Sequence, residues 1–255
     1  MVRMNRKYLT AGAICAVLCG LCLWLALDDG TPAAEDIPAT SPQMEIVTPV
    51  ETEEPEEPYE SPIDFTALQQ ENPDIYAWLQ IPETEISYPV LQREGDDAFY
   101  IDHDSKGDPS SAGALFTESA YNDTTFEDPV TVIYGHHMRS GTMFGTLQAT
   151  YSDIESFEAH RQITVYLPER ELNFIVFAAV PYDSRHILYN YNFENVRMYR
   201  AFITSIYEVR TIGANFSEDT DATVEDQILI LSTCLTGDDT RRYLVLAKLE
   251  DSTLE

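Results

Sequence analysis

The sequence is poor in basic residues. Its 255 residues include 15 Lys and Arg against 44 Asp and Glu, so the formal net charge is −29. Nucleic-acid binding needs a basic surface that neutralises phosphates, and this charge balance excludes it. Hydrophobic residues make up 44% of the chain and aromatic residues 11%, which is enough for a folded core. We therefore expect a globular domain whose partners are not nucleic acids.

Lys and Arg are absent altogether between Lys7 and Arg93. Three cations precede this interval, and residues 8–27 then form a run of 20 residues without any charge. A helix needs about 20 apolar residues to cross a bilayer, and cations favour the cytoplasmic side. The pattern predicts a cytoplasmic N-terminus (1–7), a single transmembrane anchor (8–27) and a domain outside the cell.

Three other interpretations of this run stay open. A cleaved signal peptide has a similar plan, but its apolar region is usually shorter and residues 25–30 (LALDDG) lack a small-x-small cleavage site. A lipoprotein signal would use Cys19 or Cys22, yet Leu18 and Leu21 stand where a small residue is expected. A buried structural helix is the third alternative, and the preceding cations argue against it.

Residues 28–62 lack basic residues and are rich in proline. They contain seven of the 14 prolines and 11 acidic residues. Proline removes backbone donors and like charges repel, so this segment is predicted to be an extended, disordered stalk. The folded domain is predicted to occupy residues 63–255.

Short apolar strands dominate the predicted domain. Alternating or β-branched residues occur at 86–90, 130–134, 163–167, 172–179, 228–233 and 243–249. Strands of this length and number favour a barrel or sandwich. Helices are predicted at 65–70, which ends before Asn72-Pro73, and at 143–160 and 193–210, where apolar residues recur every three or four positions.

Cysteine is scarce outside the apolar run. Three of the four cysteines lie within residues 8–27, so Cys234 has no partner for a disulfide in the predicted domain. An unpaired cysteine outside the cell is either a buried inert thiol or a nucleophile. Cys234 follows the strand at 228–233 and precedes a turn-rich segment, so it is expected at a strand end.

Arg242 and His136 are candidates for the same site. If the strands before and after residues 235–241 pair as a hairpin, Arg242 lies beside Cys234 and can stabilise negative charge there. A surface arginine paired with Asp238 or Asp239 is the alternative. His136 follows an apolar strand and Gly135, a position suited to a general acid or base. No cysteine or carboxylate at ligand spacing accompanies His136 and His137, so no metal site is predicted.

Several segments in this order resemble the sortase family, and within it class B. They are residues 72–82, 86–90, 113–116, 134–138, 143–144 and 231–234 (LSTC), together with Arg242 and the strand that follows it. The helical segment at 193–210 is similar to the class B elaboration before the last two strands. The resemblance implies a mainly β fold, an eight-stranded sortase-type β-barrel with peripheral helices.

The resemblance also implies roles for individual residues. Cys234 would be the nucleophile, His136 the general acid and base, and Arg242, rather than Arg241, the group that stabilises the transition state. His137 would be auxiliary at most. Ser232 matches a substrate-contacting position, and Thr233, Tyr182 and Tyr189 are further candidates for substrate binding. His103, His160 and His186 are expected to be surface residues.

The expected activity is that of a membrane-anchored cysteine transpeptidase of Gram-positive surfaces. Its substrates would be surface proteins with an NPQTN-like or (S/P)PxTG-like sorting motif, cleaved at a Thr carbonyl. The acceptor would be an amine of a peptidoglycan cross-bridge or a pilin lysine, and no cofactor is required. Two alternatives stay open: a surface cysteine peptidase that hydrolyses the thioester, and a non-catalytic, membrane-tethered binding module.

Overall fold

The computed structural model describes residues 59–252. The predicted anchor at 8–27 and the predicted stalk as far as residue 58 lie outside the described residues. Within residues 59–252, no helix has the length and apolar composition needed to cross a membrane.

Most of the regular structure in this part of the chain is β. The strands are β1 (Ile75–Gln80), β2 (Ser87–Leu91), β3 (Leu115–Phe116), β4 (Val130–Tyr134), β5 (Gln162–Tyr166), β6 (Glu171–Tyr182), β7 (Asn215–Phe216), β8 (Ile228–Leu235) and β9 (Asp238–Ser252). The helices are α1 (Phe65–Glu71), α2 (Leu147–Ser152), α3 (Ile154–Ala159), α4 (Ile187–Asn190) and α5 (Val196–Tyr207). A short 3-10 turn spans Phe99–Ile101.

Eight of the strands close into a barrel. They are hydrogen-bonded in the order β5-β1-β2-β3-β4-β8-β9-β6. The last strand of this order, β6, also pairs with the first, β5, and this pairing closes the ring. The pairs β2–β3 and β4–β8 are parallel, and the others are antiparallel. β7 pairs with Ala178 and Ala179 of β6, beyond the part of β6 that pairs with β5. The prediction of an eight-stranded barrel is confirmed.

The two faces of the sheet carry separate cores. The inner core takes buried residues from all eight barrel strands, including Leu229 and Leu231 of β8. The residues of β8 that alternate with these, Ile228 and Ile230, point outward and pack in a second core that also contains Phe202 of α5. Side chains alternate between the two faces of a strand, so Ser232 and Cys234 also lie on the outer face. They follow Ile228 and Ile230, which pack with α5.

The N-terminal helix ends where the sequence predicts. Asp64 caps α1 by accepting a hydrogen bond from the Ala67 N–H at 2.9 Å. The residue before Pro73, Asn72, is extended with φ −147° and ψ 111°, because proline disfavours a helical conformation before it.

The predicted helix at 143–160 is wrong in one respect, because two short helices occupy this segment. Asp153 is extended (φ −92°, ψ 133°) and its side chain accepts a hydrogen bond from the Ser156 N–H at 2.9 Å. A capping aspartate of this kind begins a new helix and interrupts the earlier one. Most of the apolar stripe survives the break, since Phe144, Leu147, Tyr151 and Phe157 are fully buried, whereas Ile154 is 50% exposed.

The hairpin between β8 and β9 is tighter than predicted. The expected loop at 235–241 is a turn of two residues, Thr236 and Gly237, with Leu235 paired to Asp238. The register then shifts, because residues 239–241 bulge from β9 before Arg242 pairs with Cys234. The longer predicted helix at 193–210 is likewise shortened to α5, which Asn195 caps through the N–H groups of Arg197 and Met198.

Candidate active site

Cys234 and Arg242 are paired across β8 and β9. Their Cα atoms are register partners, and the Arg242 Nη1 atom donates to the Cys234 sulfur at 3.7 Å. The same nitrogen also reaches the carbonyl oxygens of Asp239 (3.2 Å) and Arg241 (3.3 Å), so the bulge holds the guanidinium in place. The contact with the sulfur is thus made by Arg242, and Arg241 lies in the bulge that precedes it. The sequence-based prediction that Arg242 lies beside Cys234 is confirmed.

His136 follows β4, the strand on the other side of β8. The ladder continues one residue past β4, because the Gly135 N–H donates to the Ser232 carbonyl at 3.1 Å. A Cβ atom at position 135 would stand 2.4 Å from Leu115 Cδ2 and 2.6 Å from Phe144 Cδ2, so glycine lets the strand pass this point without displacing either side chain. The parallel register therefore places His136 next to the end of the strand that carries Cys234.

A backbone carbonyl fixes the orientation of the His136 ring. The Nε2 atom lies 2.7 Å from the Ile101 carbonyl oxygen, at the end of the 3-10 turn. A carbonyl only accepts, so Nε2 carries a proton and donates it. Nδ1 is then the ring nitrogen available for proton transfer. Gly113 packs against the same place: a Cβ atom there would stand 2.8 Å from the Ile101 oxygen and 3.1 Å from His136 Cδ2.

One cleft contains most of the predicted site residues. It has a volume of about 210 Å³ and is lined by Ile101, Phe116, Tyr134, Gly135, His136, Ser232, Thr233, Cys234 and Arg242. Cys234 is partly exposed in it, whereas Ser232 is 4% and Thr233 2% exposed. The structure thus brings the predicted nucleophile, acid–base residue and guanidinium together in one cleft on the outer face of the barrel, near the end of β8.

The two predicted tyrosines do not line this cleft. Tyr182 is 6% exposed, packs against Phe202 of α5 and places its hydroxyl 3.2 Å from Ser205 Oγ. Burial raises the pKa of Tyr182, so the hydroxyl keeps its proton. Tyr189 is 75% exposed and lines a separate groove with Tyr121 and Met198. Tyr182 ends β6 and Tyr189 lies in the short helix α4, and the sequence pattern of these segments does not reveal which way a side chain points.

Other residues of the site were missed by sequence analysis. Tyr134, the last residue of β4, lies in the cleft, and its pKa is raised by burial and then by the nearby Glu118 carboxylate. His186 is partly exposed, as expected of a surface residue, and its Nε2 lies 2.9 Å from Glu118 in an adjoining groove. Tyr134 stands inside a matched motif, which was a usable signal. Glu118 and His186 are 68 positions apart, and no local pattern joins them.

The chemistry of the cleft is that of acyl transfer. A thiol can attack a carbonyl carbon, a guanidinium beside it can stabilise the oxyanion, and an imidazole can move the proton. Among residues 59–252, no group of three or more His, Cys, Asp and Glu side chains could hold a metal ion. The fold and the site together define a cysteine enzyme that acts on peptide carbonyls at the edge of a closed β-barrel.

Comparison with known proteins identifies the family. Residues 79–250 match the model of the sortase domain. The chain is 29% identical to sortase B of Listeria monocytogenes over 172 residues, 68% of this chain and 67% of that protein. It is 28% identical to sortase B of Staphylococcus aureus over 187 residues, 72% and 74% of the two chains.

Solved structures agree. The crystal structure of Bacillus anthracis sortase B in complex with AAEK1 has a TM-score of 0.64 and 30% identity, covering 76% of this chain and 88% of that one. Sortase B of Clostridium perfringens has a TM-score of 0.63 and 27% identity, covering 73% and 99%. The chain belongs to the sortase family, and within it to class B. It is a cysteine transpeptidase of the kind that attaches surface proteins to the cell wall.

Proposed function

We propose that Cys234, His136 and Arg242 carry out the transpeptidation, and that the substrate is a sorting motif cleaved after a Thr. The observation that supports this most directly is the 3.7 Å contact between the Arg242 guanidinium and the Cys234 sulfur, in a cleft shared with His136.

The first half of the reaction forms a thioester. The Cys234 thiolate attacks the Thr carbonyl carbon, and the carbonyl electron pair moves to oxygen, where the Arg242 guanidinium compensates the charge. When the tetrahedral intermediate collapses, the C–N bond breaks. His136 as imidazolium gives its Nδ1 proton to the departing amine, while Nε2–H stays bonded to the Ile101 carbonyl.

The second half reverses these steps with a new amine. Neutral His136 takes a proton from the acceptor as its nitrogen attacks the thioester carbonyl, and the thiolate leaves. One amide bond is exchanged for another, so the reaction balances without an external energy source. The motif is proposed to be NPQTN-like or (S/P)PxTG-like, and the acceptor a peptidoglycan cross-bridge amine or a pilin lysine.

Replacement of the nucleophile tests this proposal. The full chain is incubated with a fluorogenic sorting-motif peptide, with and without triglycine, and products are separated by mass. Cys234→Ala is expected to abolish the thioester and lower turnover by at least ~10³-fold while the protein stays folded. Normal turnover by Cys234→Ala would contradict the assignment. Hydrolysis without any amine adduct would instead favour a peptidase that releases its acyl group to water.

The location of the enzyme is a separate part of the proposal. The uncharged run at 8–27, preceded by three cations, supports a membrane anchor with the barrel outside the cell. Deletion of residues 1–27 is expected to move the protein from the membrane fraction to the medium or the soluble fraction. Retention of the truncated protein in carbonate-washed membranes would contradict the anchor.

A further inference from the structure

A groove adjoins the cleft that contains Cys234. It has a volume of about 270 Å³ and runs between the 3-10 turn and the loop before α4. Five residues line both the groove and the cleft, so the two are continuous: Ile101, Phe116, Tyr134, Ser232 and Arg242. The acyl part of the substrate stays attached through both halves of the reaction, whereas the leaving group departs. The segment that needs a continuous groove is therefore the one that precedes the Thr.

Glu118 and His186 form a hydrogen-bonded pair in this groove. The His186 Nδ1 atom accepts the Tyr189 N–H at 3.1 Å, where His186 caps α4, so Nδ1 carries no proton. The ring proton is then on Nε2, which donates to Glu118 Oε1 at 2.9 Å. His186 is neutral in this arrangement, and the negative charge of Glu118 is not cancelled by it.

The other acidic side chains of the groove are already engaged. Asp97 accepts hydrogen bonds from the Ser119 N–H at 2.6 Å and the Ser119 hydroxyl at 2.8 Å. Asp183 is paired with the Arg185 guanidinium at 2.6 Å. Of the three carboxylates that line the groove, Asp183 is thus paired with a cation, whereas Asp97 and Glu118 are bonded to neutral donors and keep their negative charge.

His186 donates to the Glu118 carboxylate. Its Nε2 atom lies 2.9 Å from Oε1 and 2.9 Å from Oε2, and the side chain of Glu118 is only 16% exposed. The Tyr134 hydroxyl is buried beside the same carboxylate, and its pKa is raised by burial and then by that carboxylate. A carboxylate has about four acceptor sites, so Glu118 can accept a further hydrogen bond from a ligand side chain that donates one.

We propose that Glu118, oriented by His186, is a specificity-determining residue that selects sorting motifs with a hydrogen-bond-donating side chain, amide or cationic, before the Thr. This inference rests on the proposed function, because it assumes that the motif lies along the groove. An Asn, Gln, Lys or Arg side chain would pair with the carboxylate, whereas Asp or Glu would place two like charges together in a poorly solvated site.

The test uses the full chain and peptides built on the NPQTN and SPxTG patterns. Each position before the Thr is varied among Gln, Lys, Leu and Glu, and kcat/KM is measured by release of the C-terminal fragment. At one position the wild-type enzyme is expected to prefer Gln or Lys over Glu by about tenfold or more. Glu118→Gln is expected to remove most of that preference, by improving the Glu peptide and weakening the Lys peptide.

Asp183→Asn is the matched control. It removes the same charge from the same groove, but its carboxylate is already paired with Arg185, so the preference should be kept. No preference in the wild-type enzyme would overturn the inference without any variant, as would a preference that persists in Glu118→Gln or disappears equally in Asp183→Asn. If the wild-type enzyme turned over none of the peptides, the proposed function would fail as well.

Discussion

The hairpin that carries Cys234 and Arg242 and the turn that carries His136 are held by different kinds of contact. Cys234 and Arg242 are register partners eight positions apart, and the strand ladder alone brings them together. His136 is oriented by the Ile101 carbonyl, 35 positions away, and by the close approach of Gly113. The half of the site that is proposed to stabilise charge is thus built locally, and the half that is proposed to move protons depends on long-range packing.

The largest effect on kcat/KM is expected when the contact between Arg242 and Cys234 is removed. Arg242→Ala should lower kcat/KM for the sorting peptide by about 10²- to 10³-fold, because one oxyanion-stabilising group is lost. Arg242→Lys should recover part of the rate, since it keeps the charge but not the planar fork. Stopped assays that separate thioester formation from transfer would show the loss in both steps.

Arg241→Ala is the control for this prediction. Arg241 is the adjacent residue in the bulge and carries the same charge, whereas the contact with the Cys234 sulfur is made by Arg242. Its removal is expected to change kcat/KM by only a few-fold. Equal losses for the two variants would mean that general positive charge near the hairpin matters, rather than the contact between Arg242 and Cys234.

A smaller effect on kcat/KM is expected when the packing that orients His136 is disturbed. Gly113 has φ +58°, and a Cβ atom there would stand 2.6 Å from the Tyr100 oxygen and 2.8 Å from the Ile101 oxygen. Gly113→Ala should therefore displace the Ile101 carbonyl from His136 Nε2 and lower kcat/KM by about tenfold or more, the value of a hydrogen bond of this strength. Imidazole ¹⁵N resonances of His136 should report loss of the single Nε2–H tautomer.

Gly107→Ala separates backbone strain from this displacement. Gly107 has φ +82°, in the same segment of chain, but no atom lies within 4 Å of the place where its Cβ would stand. Both variants are expected to lose about 1–2 kcal/mol of stability in denaturant titrations, because an L residue is strained at positive φ. Only Gly113→Ala should change the tautomer. An unchanged tautomer in that variant would contradict the role given to the Ile101 carbonyl.

The same contrast explains what the sequence could predict. Strand pattern and a short connection were enough to pair Cys234 with Arg242, and the apolar strand before Gly135 was enough to place His136 at a strand end. The bulge at residues 239–241 escaped prediction, because it depends on how the Arg242 side chain reaches backbone carbonyls of its own strand.

Tertiary packing decided the rest. The acceptor of His136 and the pair formed by Glu118 and His186 join residues 35 and 68 positions apart, and their spacing carries no periodic signal. Tyr182 was predicted to line the groove, yet α5 covers it. The residues proposed to act chemically were therefore accessible from sequence, whereas the residues that contact them or line the adjoining groove were not.

The smallest effect is expected at an exposed side-chain hydrogen bond between the two halves of the site. His137 Nε2 and Thr236 Oγ1 are 2.9 Å apart, which joins the turn after β4 to the turn between β8 and β9. The bond is exposed, so His137→Ala should lower kcat/KM by no more than about tenfold and stability by about 0.5–1.5 kcal/mol. Thr142→Val is the control, because it removes the exposed bond to Ser140 within the same loop and touches no part of the hairpin.

A double-mutant cycle makes this last prediction decisive. If the bond couples the two turns, Thr236→Val should lower kcat/KM as much as His137→Ala, and the double variant should lose no more than either. Additive losses would show that the two side chains act separately. Thr142→Val should alter stability alone. A tenfold loss or more in the cycle would mean that the relative position of the two halves depends on this bond, whereas a loss within error would mean that the β4–β8 ladder fixes it unaided.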